Sequence, residues 1–382
     1  MTNLIDKRGA YVSVAKAFLL PPGRATLAKR ILMSERIIDF SKVSGRPVAL
    51  QDQFQRQLRD LRISVMDRCN FRCPYCMPED KYHKDFQFLN SDDRLSFSEI
   101  VRVARVFAGF GVRKLRITGG EPLLRANLPE LIAELSALDA IDDIALTTNG
   151  ILLAQHAAAL KAAGLDRVTV SLDSLDDDVF RAMSGGRGSV SKVLEGIQEA
   201  ELAGLHPVKV NSVVRRGIND STVLELVDKF RGSGTIMRFI EYMDVGTINH
   251  WQPSDTVPAR ELVELINARW PISPAESNYF GEVASRYVFA DGQGEIGFVT
   301  SMTEPFCGSC TRARISSDGN LYTCLFASAG TDLRTPLRAG ASDAELADIV
   351  SAVWMKRDDR YSELRARNAA PADKVEMYYI GG

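Results

Sequence analysis

Short runs of Val, Ile and Leu alternate along this chain with segments whose apolar residues recur every three or four positions. The short runs predict buried parallel strands at Leu61–Val65, Lys114–Ile117, Ile144–Leu146, Val168–Ser171, Val208–Val214 and Ile236–Tyr242. The longer period predicts helices at Phe97–Ala108, Leu128–Leu138, Leu152–Ala163, Val190–Ala203 and Thr222–Arg231. Several of these run into a glycine, Gly164 and Gly204 among them, as a helix C-terminus does. Six βα units in series predict an α/β fold, a partial (β/α)6 barrel with right-handed crossovers. From about Pro253 the rhythm changes to a helix (Ala259–Ala268), two short strands (Arg286–Phe289 and Glu295–Val299), a tight turn at Ser317–Asn320 and a helix at Ala341–Met355. The expected organisation is an N-terminal extension over 1–50, the barrel over 51–250, and a C-terminal segment over 251–382 that closes its open side.

Composition narrows the possible partners. The 382 residues are 45% apolar and carry a net charge of −2, so no global basic field draws nucleic acid. The apolar runs fall far short of the ~20 residues a membrane span requires. Residues 1–50 hold more Lys and Arg than Asp and Glu. Their AFLL run is too short for a secretory signal, and Asp6, Glu35 and Asp39 do not suit an organellar one. The expectation is a cytoplasmic protein.

Six cysteines fall into two compact groups: Cys69, Cys73 and Cys76, then Cys307, Cys310 and Cys324. Clustered thiols in a chain without an export signal point to metal or redox chemistry rather than disulfides. Three thiolates can hold three irons of a [4Fe–4S] cubane and leave the fourth open to a substrate. A zinc site completed by His83 is the alternative for the first group, although zinc is usually held by C-x2-C pairs. The second group has no neighbouring histidine, so a second cluster suits it better. Arg312 and Arg314 share one face if their segment is extended, placed to clamp an anion. Arg62, Lys114, Arg116, Lys209 and Arg238 sit on predicted strands, where a charge rarely stays unpaired. Together they suggest a polyanion such as a nucleoside triphosphate. The remaining polar clusters, Gly119–Pro122, Thr147–Gly150, Ser171–Asp173 and Met243–Gly246, follow strand ends, where barrel active sites lie.

The stretch CNFRCPYC, from Cys69 to Cys76, resembles the signature of the radical S-adenosylmethionine (SAM) superfamily. That resemblance implies a [4Fe–4S] cluster that binds SAM and reduces it to a 5′-deoxyadenosyl radical. Tyr75 matches the aromatic contact to adenine, and Gly119-Gly120-Glu121-Pro122 the glycine-rich SAM motif. With the second triad, and with KLRITGGEPLLR, RFIEYMDVG, PFCGSC, DGNLYTCLF and the terminal IGG, residues from about 52 to 382 are similar to the branch that cyclises GTP at the first step of molybdenum cofactor biosynthesis. What this implies is a lyase with two [4Fe–4S] clusters and SAM, forming 3′,8-cyclo-7,8-dihydro-GTP. Residue by residue it implies GTP contacts from Arg62, Arg116, Thr147, Lys209, Arg312 and Arg314, with Lys114 and Arg238 as additions. It implies SAM contacts from Tyr75, Gly120, Ser171 and Met243, and a catalytic tail at Gly381 and Gly382. Implied partners are a flavodoxin- or ferredoxin-type electron donor, the downstream cyclic pyranopterin monophosphate synthase and a second copy in a homodimer. Met66 and Thr311 stand where the family more often has Thr and Asn. Two other readings stay open: a radical SAM enzyme acting on peptides, and a non-catalytic zinc or nucleotide-binding regulator.

Overall fold

Each of the six apolar runs is a strand, and the six pair in chain order, all parallel. The computed structural model describes residues 49–365 and 374–382, so nearly all of the predicted extension lies outside the described residues. The strands are β1 (Asp60–Ser64), β2 (Lys114–Thr118), β3 (Asp143–Thr148), β4 (Arg167–Ser171), β5 (Lys209–Val214) and β6 (Ile236–Glu241). Leu61, Ile63, Leu115, Ile117, Leu146, Val170 and Val210 are buried, each contributing roughly 1.5–3 kcal/mol. Leu50, assigned from sequence to the extension, belongs to this packing: it is buried, and its carbonyl accepts the Leu58 N–H.

The connecting helices lie where the 3.6-residue period placed them. They are α1 (Phe97–Gly109), α2 (Leu128–Ser136), α3 (Leu153–Ala162), α5 (Val190–Leu202) and α6 (Val223–Phe230). A capping box starts α1: Glu99 N–H donates to Ser96 Oγ, and the Glu99 carboxylate accepts the Ser96 N–H. One helix escaped the sequence reading, α4 (Asp177–Ser184). It is only eight residues long and opens on two aspartates behind an aspartate cap, which mask its buried Phe180 and Met183. Asp176 caps it by accepting from the N–H groups of Asp178 and Val179, a signal that was present in the sequence.

The C-terminal segment adds strands to both edges of the six-stranded sheet, the two edges that border the open side of a partial barrel. After α7 (Ala259–Arg269) come β7 (Ile272–Ala275) and β8 (Ser285–Phe289), and β9 (Glu295–Val299) then pairs parallel with β6. At the other edge β10 (Arg312–Ile315) pairs parallel with β1, followed by the short antiparallel β11 (Asn320–Tyr322) and β12 (Thr331–Asp332). The order is β12-β11-β10-β1-β2-β3-β4-β5-β6-β9-β8-β7. The described residues belong to one compact unit, so the boundary at 250/251 marks a change of connectivity inside one sheet. Beyond β12 lie α8 (Arg334–Arg338), α9 (Asp343–Met355), α10 (Tyr361–Leu364) and α11 (Met377–Ile380). No helix among the described residues is long and apolar enough to cross a membrane.

Candidate active site

Both cysteine triads line one cavity of ≈330 Å³ at the strand ends. Six residues that the sequence scatters over 256 positions therefore face a single space. The first triad rides the loop after β1. Cys73 carbonyl accepts the N–H groups of Cys76 and Met77 at 3.0 and 2.9 Å, which winds the loop into a turn. Phe71 N–H donates to Cys69 Sγ at 3.3 Å. Burial, helped by Glu121, pushes the Cys69 thiol up to about 12, and burial pushes Cys73 and Cys76 up as well. Holding a metal would require these thiols to give up their protons.

The glycines of Gly119-Gly120 serve a contact that sequence reasoning assigned elsewhere. A Cβ on Gly119 would lie 2.5 Å from Met66 carbonyl oxygen, and one on Gly120 would lie 2.3 Å from that of Arg68. The missing side chains first of all let the two loops touch, and Gly120 N–H donates to Met66 carbonyl at 2.6 Å. Met66 contributes that backbone contact and is itself buried. Glu121 is buried, accepting from Thr148 Oγ1, Asn149 N–H and Leu123 N–H, with burial raising its carboxyl to about 7. Tyr75, Gly120, Ser171 and Met243 all line the cavity. Tyr75 hydroxyl donates to Asp173 Oδ2 at 2.8 Å, and Val213 N–H holds the other oxygen of the same carboxylate. Burial raises Asp173 to about 6. Asp173 was noticed only as part of a strand end; its role in placing Tyr75 depends on a contact 98 residues apart in sequence.

The second triad is dressed with arginines. Arg312 and Arg357 donate to Cys310 Sγ at 3.0 and 3.2 Å. Burial alone raises the Cys310 thiol, but Arg312 and Arg357 outweigh it and bring the group to about 6. Cys324, with burial dominant, is pushed up to about 12. Thr311 is fully buried behind this loop, its hydroxyl bonded to Asp60 and its carbonyl accepting from Arg59 and Asp60 N–H. It anchors β10 to β1 and does not line the cavity.

Do these residues suit the clusters? His83, the fourth ligand of the zinc reading, is exposed beside Asp85 and away from the cavity. No three His, Cys, Asp or Glu side chains among the described residues converge on one metal ion. A cubane takes each thiolate on a different iron and needs no such convergence. Arg56 lines the cavity with a buried Nη2 that has no partner among the described residues, an orphan donor that a cluster sulfide would satisfy. The donor sets fit.

The cations form a ladder. The parallel register puts Arg314, Arg62 and Arg116 side by side on β10, β1 and β2. Like charges directly opposite repel, so their own interactions oppose this alignment. Arg62 guanidinium has no hydrogen-bond or ion-pair partner among the described residues. Burial, then Arg314, Arg116 and Arg312, lower its pKa well below the usual value. Among the described residues, Arg116 hydrogen-bonds only the hydroxyls of Thr147 and Thr169, and Arg238 only Asn211 and Thr169. Burial and neighbouring arginines lower these two to about 10 and about 9. Arg62, Arg116, Thr147, Arg238, Arg312 and Arg314 line the cavity. Lys114 lines a smaller adjoining pocket, its Nζ 3.2 Å from the centre of the Tyr279 ring. Lys209 lines neither, although burial, Arg238 and Arg167 hold it down to about 8. Tyr279, on the β7–β8 loop, was missed; nothing local distinguishes it, and only folding sets it among the cations of both pockets.

The tail reaches the same space. Lys374 Nζ donates to Asp244 Oδ2 at 2.9 Å, and Glu376 accepts from Thr247 N–H and hydroxyl, both 2.9 Å. Beyond α11, Arg314 Nη1 bonds Gly381 carbonyl, and Gly382 lines the cavity. Gly381 has φ +71°, and a Cβ there would lie 2.2 Å from Thr118 Cγ2, so only glycine passes.

A parallel half-barrel with a three-cysteine loop after its first strand defines a radical SAM protein, and residues 63–230 match the family described as Radical SAM superfamily. Residues 235–363 match Molybdenum Cofactor Synthesis C. The crystal structure of Streptococcus suis SuiB bound to S-adenosylmethionine shares the fold, with a TM-score of 0.54 at 16% identity over 81% of this chain and 68% of that one. Proteins named GTP 3′,8-cyclase are similar over nearly their whole length: 54% identical in Xanthomonas campestris, 49% in Acidothermus cellulolyticus and 45% in Staphylococcus aureus. Each alignment covers 87% of this chain and at least 97% of the relative. The chain belongs to the GTP 3′,8-cyclase family of radical SAM enzymes.

Proposed function

We propose that this chain cyclises GTP to 3′,8-cyclo-7,8-dihydro-GTP, the first step of molybdenum cofactor biosynthesis, using two [4Fe–4S] clusters. The observation that carries the substrate is the ladder Arg314–Arg62–Arg116, unneutralised and shared with both triads in one cavity. A peptide substrate does not call for such a wall; a triphosphate does.

Cys69, Cys73 and Cys76 would hold the cluster that, with SAM, supplies the radical for hydrogen abstraction from ribose. Tyr75, Gly120, Ser171 and Met243 hold SAM, and Asp173 fixes the Tyr75 ring through its hydroxyl. Cys307, Cys310 and Cys324 would hold the second cluster at the purine end. Arg62, Arg116, Thr147, Lys209, Arg312 and Arg314 bind GTP, with Lys114 and Arg238 extending the cationic wall. Gly381 and Gly382 complete the site from the tail. A low-potential flavodoxin or ferredoxin delivers the electron, and cyclic pyranopterin monophosphate synthase consumes the product. The protein works as a cytoplasmic homodimer.

The test is anaerobic incubation with SAM, dithionite and GTP, scored for 5′-deoxyadenosine and cyclised product. Both should form together. Steady 5′-deoxyadenosine with unaltered GTP would overturn the reading.

A further inference from the structure

Beside the second triad lies a buried group of charges that none of the assigned substrate contacts uses. Arg357, 4% exposed just past α9, donates through Nη1 to Cys310 carbonyl at 2.9 Å and through Nη2 to Cys310 Sγ at 3.2 Å. Arg56, 2% exposed, donates to Cys307 carbonyl at 2.8 Å. One carboxylate, Asp52, holds both: its Oδ2 lies 2.6 Å from Arg56 Nε and 3.2 Å from Arg357 Nη1. Trp354 covers Arg357, with the guanidinium carbon 4.5 Å from the ring centre. A second carboxylate, Asp359, pairs with Arg357 from the other side, its Oδ2 3.2 Å from Nε, and the group is still costly to bury because Arg56 Nη2 remains unpartnered among the described residues.

At the first triad the sulfur contacts are of another kind. Cys69 Sγ receives a backbone N–H from Phe71 and lies 3.9 Å from the Asn149 amide, both neutral. Hydrogen bonds to ligand sulfurs and the local net charge are the levers by which a protein sets a cluster's reduction potential. Charged donors are about twice as strong as neutral ones. Reduction adds negative charge to the cluster and its thiolates, so a fixed guanidinium at the sulfur favours the reduced form.

We infer that Arg357, braced by Asp52, is a positioning residue that raises the reduction potential of the cluster at Cys307, Cys310 and Cys324. The inference rests on the two-cluster reading above. Arg357 touches a ligand sulfur from the side of α9, whereas Arg312, which touches the same atom, is assigned to GTP; Arg357 therefore separates tuning from substrate binding.

The experiment is a potentiometric titration of the anaerobic full-length protein followed by electron paramagnetic resonance, with iron and sulfide quantified, for the parent, Arg357→Gln and Arg357→Lys. Arg357→Gln should keep both clusters, shift the midpoint of the second to more negative potential and leave the first unmoved. Arg357→Lys, retaining the charge without the paired contacts, should fall between. An unshifted second midpoint in Arg357→Gln at full iron content overturns the inference and leaves the two-cluster reading standing. Loss of half the iron in both variants also overturns it, by making Arg357 a brace for the loop alone. Iron for a single cluster in the parent overturns the two-cluster reading itself, and the inference with it.

Discussion

At the first triad burial and Glu121 push Cys69 up to about 12; at the second, Arg312 and Arg357 overcome burial and bring Cys310 down to about 6. The two loops share a cavity and offer the same three thiols, yet one wall is acidic and the other basic. Glu121 and Asp173 stand beside the first triad, and Arg56, Arg312, Arg314 and Arg357 outnumber Asp359 beside the second. On the function proposed above, the difference matches the charges of the two ligands: SAM carries a sulfonium cation, and GTP a polyanionic triphosphate. Electrostatics in a confined, low-dielectric space would then sort the ligands between otherwise similar ends.

The comparison breaks most visibly if the triads are removed one at a time. Cys69→Ala should abolish 5′-deoxyadenosine formation and leave about half of the iron. Cys324→Ala should lose the other half and keep some uncoupled SAM cleavage. Parental 5′-deoxyadenosine from Cys69→Ala would falsify the assignment of roles to the two loops.

Next in size is the tail. Deleting Gly381 and Gly382 should leave both cluster spectra and near-normal GTP affinity while product per turnover collapses. Parental product from the truncated chain would make the end dispensable. Gly381→Ala sharpens the point, because its Cβ would overlap Thr118; it should behave like the deletion.

The basic wall comes third. Arg312→Ala and Arg314→Ala should each weaken GTP binding by roughly 1.5–3 kcal/mol, about 10- to 150-fold, with both clusters retained. Arg314 also holds Gly381 carbonyl, so its variant should lose coupling as well as affinity. Equal isotherms for parent and both variants would return these residues to a structural role.

The smallest effect is a proton. Lys209 is held down to about 8 by burial, Arg238 and Arg167, so near pH 8 it is partly neutral in the empty site. A bound triphosphate favours the charged form and raises that value. Binding at pH 8 should therefore take up protons, read as a buffer-dependent enthalpy, and affinity should fall as pH rises past 8. Uptake should vanish near pH 6.5, where the lysine is already charged, and Lys209→Met should remove it at pH 8. A buffer-independent enthalpy at pH 8 would place Lys209 outside the binding field.

Much of this was legible without coordinates. Helical and strand periods located the six βα units to within a residue or two, because a buried face leaves a regular trace in the chain. Both triads and the cations of β1, β2, β5 and β6 were visible for the opposite reason, as residues that do not belong on buried strands. Strand β10 was obscured, since Arg312 and Arg314 give RARI a polar look. Its partner β1 lies some 250 positions away, and no local pattern announces that pairing. The acidic α4 was hidden in the same way, although its cap at Asp176 could have disclosed it.

What the sequence alone determined was the chemistry: which thiols, which cations, and the order of the units that carry them. Those are properties of residue type and short-range spacing. What only the tertiary structure decided was who faces whom. Parallel pairing of β10 with β1 aligns Arg314 with Arg62 and Arg116, and brings the second triad to the cavity of the first. The Tyr75–Asp173, Arg357–Cys310 and Arg314–Gly381 contacts join residues between 47 and 98 positions apart. Such contacts arise from sheet register and the routing of loops, which depend on the packing of the whole chain.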